Sequence, residues 1–84
     1  MPENTKNSLK NQILKKYRYK CIIDRKHTEV LHEIKPRSVG GKVSFENSVP
    51  LCAKCHDWAH GVGTVRSATI LRQKQEQRLL EYEV

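Results

Sequence analysis

Apolar positions along this chain are sparse and come in short groups. Leu9, Ile13, Leu14 and Tyr17 fall at i, i+4, i+5 and i+8, one face of an amphipathic helix, with Lys10, Lys15 and Lys16 elsewhere on it. Tyr17-Arg18-Tyr19-Lys20 alternates aromatic with basic and predicts an extended edge strand that packs its tyrosines inward. Glu29 to Ile34 is the best strand, with Val30, Leu31 and Ile34 as β-prone bulk. Pro36 ends it, and Gly40-Gly41 marks a tight turn. Val49-Pro50-Leu51 predicts a short second strand, and Ala53 to His60 a helix that Gly61 and Gly63 stop. A last helix is expected from Ser67, as N-cap, to Tyr82. Its apolar residues sit at the two ends, and the polar run Arg72 to Arg78 between them reads as a solvated face.

Composition narrows the possibilities. Among 84 residues, 37% are hydrophobic, with one Phe, one Trp and three Tyr, so a large apolar core is excluded. A chain of this size buries only about 60–65% of its unfolded surface. The formal net charge is +7, and residues 1–20, with Glu3 as their sole acid, hold most of that excess. Such a balance predicts an anionic partner, most simply nucleic acid. In that light the two tyrosine rings at 17 and 19 have a second possible use, against DNA sugars. No apolar run approaches the ~20 residues that span a bilayer, and no signal peptide is evident at the start. Three cysteines cannot all pair with one another, which argues against a secreted disulfide framework. A small core, a basic surface and an odd cysteine count together point toward metal.

Cys52-Ala53-Lys54-Cys55 is a CxxC knuckle, and Cys21 lies about thirty residues upstream. Two thiolates so spaced bite one ion without straining the backbone, and structural zinc takes four tetrahedral ligands. The fourth is Asp24, at CxxC spacing from Cys21, or His27, chemically the commoner companion of three thiolates. The competing reading is three buried, inert cysteines. In a chain with so little core, zinc binding would supply folding free energy outright.

A second constellation lies nearby. His56 and His60 stand at i and i+4, on one helix face, with Trp58 directed away toward the core. They are preceded by His32-Glu33-Ile34-Lys35-Pro36-Arg37-Ser38-Val39-Gly40-Gly41, by Asn47, and by Leu51-Cys52. From Cys21 to His60 the chain closely resembles the HNH endonucleases, particularly the small versions common in bacteriophages. Their pattern runs His-His-Ile-x-Pro-x-Ser-x-Gly-Gly, a loop, then Asn-x-x-x-Leu-Cys-x-x-Cys-His-x-x-x-His. The resemblance implies an α+β fold: a ββα-metal core stapled by structural zinc, in which a hairpin and a helix clamp one divalent cation against the scissile phosphate. The basic arm 1–20 and the helical extension 61–84 would flank core residues 21–60 in a single domain.

Carried over by position, the resemblance makes His32, His56 and His60 ligands of the catalytic cation. It gives Asn47 the role of orienting the hairpin loop or adding an oxygen to the metal. Glu33 falls where the family places its general base, normally a histidine, and Asp24 where the family usually has cysteine. Three imidazoles suit Zn, Ni or Mn better than Mg, which prefers oxygen. Lys35, Arg37 and Lys42 surround the hairpin turn as candidate phosphate contacts. The expected activity is hydrolysis of DNA phosphodiester bonds with little sequence preference, since phosphate contacts carry little sequence information. By the same resemblance, a phage terminase or other targeting protein is the expected partner, in the cytoplasm of a bacterial host. The rival is a non-catalytic zinc module that binds nucleic acid or protein, with Glu33 recording a lost base.

Overall fold

The computed structural model describes residues 5–82, so positions 1–4 of the basic arm and 83–84 of the C-terminal extension lie outside the described residues. Within that span, helix α1 (Thr5–Lys16), strand β1 (Leu31–Glu33), strand β2 (Ser48–Pro50), helix α2 (Ala53–Val62) and helix α3 (Thr64–Tyr82) follow in order. The strands form an antiparallel pair in the register Leu31–Pro50, His32–Val49 and Glu33–Ser48. The architecture is α+β.

The α1 stripe is as expected: Ile13, Leu14 and Tyr17 are buried and Leu9 packs against them. Its continuation corrects the predicted edge strand. Arg18 and Tyr19 take left-handed backbone angles, and their N–H groups donate to the Lys15 and Leu14 carbonyls at 2.9 and 2.8 Å. That is a Schellman ending, in which the last carbonyls of the helix find partners as the chain reverses. Tyr17 is therefore the last inward residue of a helix rather than part of a strand. Of the tetrapeptide, Lys20 alone pairs in β fashion, opposite His27.

β1 is shorter than predicted, yet its pairing continues past both ends. The Leu51 amide donates to the Val30 carbonyl at 3.0 Å, and the Ile34 amide to the Asn47 carbonyl at 2.8 Å. Between the strands, Pro36 leads into one turn of 3-10 helix (Arg37–Val39) closed by Gly40 at φ +90°. Gly41 cannot carry a side chain: a Cβ there would lie 1.6 Å from the Lys35 carbonyl oxygen. These two glycines let the loop fold back on the end of β1.

Gly61 lies inside α2, and Gly63, at φ +94°, ends it. α3 starts at Thr64, three residues before the predicted cap. Ser67 is not the N-cap; it is buried inside the first turn with its hydroxyl donating to the Thr64 carbonyl at 3.2 Å. The polar run also departs from the solvated reading, because Gln75 and Arg78 are buried. Gln75 donates to the Glu46 carbonyl at 3.1 Å and Arg78 to the Ile22 carbonyl at 3.0 Å. Arg72 also reaches the Glu46 carbonyl, at 3.1 Å. α3 thus holds down loops that lack ladder partners, which apolar periodicity does not reveal. The core joins Ile13 and Tyr17 of α1, Ile22, Ile34, Val49, Leu51, Cys55 and Ala59, and Leu71 of α3. Trp58 is partly buried against it. No helix among the described residues is long and apolar enough to cross a membrane.

Candidate metal centres

Two groups of potential ligands form around the hairpin–helix unit. In the first, Cys21, Asp24, Cys52 and Cys55 bring one ligand atom each within 4.8 Å of one another. A tight turn builds one half: the Cys21 amide donates to the Lys26 carbonyl at 2.8 Å, and Arg25 takes a left-handed conformation. The other half is the start of α2, with Cys52 at the N-cap. The Cys52 and Cys55 thiols point at Asp24 Oδ2 from 3.0 and 3.6 Å. The Cys52 thiol, then the Lys26 amide, hold the Asp24 carboxyl at about 2. Burial pushes the Cys55 thiol up, and the neighbouring Cys52 and Cys21 add to this. Three sulfurs and one carboxylate oxygen make a donor set that zinc accepts, and the group is placed to hold it. His27 stands apart: it is exposed and stacks on Tyr19 at 6.1 Å between ring centroids.

The second group joins β1 to α2. His32, buried on β1, faces His56 and His60 on one side of α2, and their ligand nitrogens also lie within 4.8 Å of one another. The three rings are close to mutually perpendicular, with centroids 4.6 to 5.6 Å apart. The His56 and His60 Nε2 atoms are 3.3 Å apart. Three imidazoles whose ring nitrogens lie this close together suit a divalent transition ion. Burial, and after it the neighbouring His56 and His60, lower the pKa of His32, and Glu33 opposes this. The direction favours the neutral imidazole, the form that binds metal.

These histidines lie in a cleft of about 730 Å³. Glu33 and Arg37 share its wall, joined Oε1 to Nε at 3.2 Å. Glu33 thus faces the cleft without joining the three-histidine group, and Arg37, a candidate phosphate contact, is paired with it. Lys35 and Lys42 are exposed on the loop. Asn47 is buried behind that loop with its whole amide engaged by backbone. Its oxygen accepts the Lys35 amide at 2.8 Å, and its nitrogen donates to the Lys35 and Lys42 carbonyls, both at 2.9 Å. Of the two roles open to Asn47, the geometry fits the loop brace. The cleft also takes in a charged residue to which the sequence reading gave no site role, Lys10 of α1. The expected placement of Lys10 off the apolar face is corrected here: at i−3 from Ile13 and i−4 from Leu14 it shares their inward stripe.

A β-hairpin and a following helix that present three potential metal ligands to a cleft, beside a cysteine-rich knuckle, are the architecture of a ββα-metal fold. Residues 20–61, half of the chain, match the family model described as HNH endonuclease, and the chain belongs to that family. No curated protein matches the chain significantly. No solved structure does either.

Proposed function

We propose that this chain is a divalent-metal-dependent endonuclease that hydrolyses DNA phosphodiester bonds with little sequence preference of its own. The observation that carries the reading is the convergence of His32, His56 and His60 in a cleft whose wall also holds Glu33. His32, His56 and His60 would hold a divalent cation, which would supply neutralisation of the charge that builds on the phosphate and on the departing 3′ oxygen. Glu33 accepts the proton of the attacking water, and Arg37 fixes the carboxylate's direction. Asn47 keeps the loop, and with it Lys35 and Lys42, folded beside the cleft, where the two lysines contact flanking phosphates. A carboxylate is a weaker base than imidazole by about two units in ordinary pKa, so the reaction is expected to be slower than with histidine, not absent.

With one small domain and no separate base-reading module, targeting falls to a partner, which the family resemblance suggests is a phage terminase or another DNA-processing protein in a bacterial host's cytoplasm. Zinc at Cys21, Asp24, Cys52 and Cys55 is structural in this reading.

Nicking of supercoiled plasmid with Mg, Mn, Ni or Zn, against a chelator control, tests it. At least one metal should support nicking, and His56→Ala should abolish it. If none does, the non-catalytic zinc module is the better description. Glu33→His should raise the rate, and an unchanged or lower rate would count against Glu33 as the base.

A further inference from the structure

The inward stripe of α1 does not end with the core. Ile13, Leu14 and Tyr17 on it are 1% exposed or less. Lys10, one turn earlier on the same stripe, is exposed and lines the histidine cleft. Where the stripe runs past the edge of the core, it therefore turns a cation toward the cleft. A lysine at such a place usually lays its stem on apolar surface and takes its amine to water or to an acid. Among the described residues, Lys10 has no ion pair. The cleft's other cation outside the histidines, Arg37, is already held by Glu33. Glu29 also lies on the wall, so the cleft is not uniformly positive, and a phosphate seeking a free positive charge there finds it at Lys10.

We propose that Lys10 is a substrate-binding residue of this cleft, its ammonium gripping a DNA backbone phosphate beside the scissile one. The inference rests on the nuclease reading above and deepens it. It makes α1, which lies before the matched residues 20–61, part of the active-site wall rather than only a basic tail. The compact, strongly hydrated ammonium suits this role as a point charge that needs no fixed geometry.

The test uses the full chain with Lys10→Met, which keeps the stem and loses the charge, and Lys10→Arg, which keeps the charge. Fluorescence anisotropy with a short duplex, without added divalent ion and over a salt series, reads binding directly. Lys10→Met should weaken binding by roughly fivefold and lower the salt slope by about one phosphate contact. Lys10→Arg should restore both. In the nicking assay KM should rise by a similar factor while kcat changes little. Lys10→Gln, with the same loss of charge and a different stem, guards against a folding defect peculiar to methionine. Unchanged affinity and salt slope in both neutral variants would overturn the proposal, even with nicking intact. Failure of the nuclease reading is a separate result: no metal would support nicking by the wild-type chain, whatever Lys10 does to binding.

Discussion

Asn47 and Lys35 are joined by a reciprocal pair of hydrogen bonds, amide N–H to side-chain oxygen at 2.8 Å and side-chain nitrogen to carbonyl at 2.9 Å. With the further bond to the Lys42 carbonyl, one buried side chain replaces the ladder partners that both sides of the loop lack. Asn47→Ala would strand three backbone groups, and we expect a loss of about 2–4 kcal/mol in urea unfolding, with nicking falling as the loop loosens. Asn47→Asp should be at least as harmful at neutral pH, since it turns a carboxylate toward two carbonyl oxygens. A loss under about 1 kcal/mol for both would refute the brace.

Zinc retention separates the two candidates for the fourth ligand. Asp24 lies with the three cysteines while His27 stacks on Tyr19, so Asp24→Ala should lose zinc to a chelator faster than wild type, and His27→Ala should not. Because burial raises the Cys55 thiol, metal must displace protons to enter, and apparent zinc affinity should fall as the pH is lowered. Competition with a chromogenic chelator at several pH values measures both effects. Zinc loss from His27→Ala with Asp24→Ala intact would reverse the assignment.

Some of this was legible in the sequence because chemistry leaves residue types behind. The spacing of Cys52 and Cys55, and of His56 and His60, survives as pattern because each pair is local to one helix. The strand core was readable from Val30, Leu31 and Ile34, though its ends were not, since pairing at Val30 and Ile34 persists beyond regular strand geometry. What stayed hidden depends on where polar groups meet backbone. Arg18 accepts a left-handed conformation usually given to glycine, so the end of α1 carried no glycine flag. Gln75 and Arg78 are buried by carbonyls that come from distant loops, and no periodicity of apolar residues records them.

Tyr17 gives a pH dependence of definite sign. Its hydroxyl is buried without a hydrogen-bond partner, and the adjacent Gln75 spends its amide on the Phe45 and Glu46 carbonyls. Burial, the larger influence, pushes the phenol above its ordinary value, against a smaller opposing effect of Gln75. A group whose folded pKa is raised contributes fully below its unfolded value and loses that contribution as pH rises beyond it. Stability should therefore decline above about pH 10, and part of the decline should vanish in Tyr17→Phe. At pH 7 the same substitution should be neutral or stabilising by up to about 1 kcal/mol, because it removes an unpaired polar atom. Urea midpoints of both proteins from pH 7 upward decide the matter, and an identical alkaline decline in the two would exclude Tyr17 as its source.

Arg78 ties the far end of α3 to the Cys21 turn of the candidate zinc site. Its Nε donates to the carbonyl of Ile22, next to Cys21, and its Nη1 contacts Glu81, which also pairs with Arg25 of the same turn at 2.8 Å. The two links differ in worth. The Ile22 bond is buried, whereas the Glu81 and Arg25 side chains are 39% and 51% exposed, in the range where ion pairs contribute little. Arg78→Met should therefore cost about 2–3 kcal/mol and speed zinc loss to a chelator, because the Ile22 carbonyl is left unpaired beside a ligand. Glu81→Gln should cost under about 1 kcal/mol and leave zinc loss unchanged. If the two variants proved equally damaging, the exposed ion pairs, and not the buried carbonyl, would be what fastens α3 to that turn.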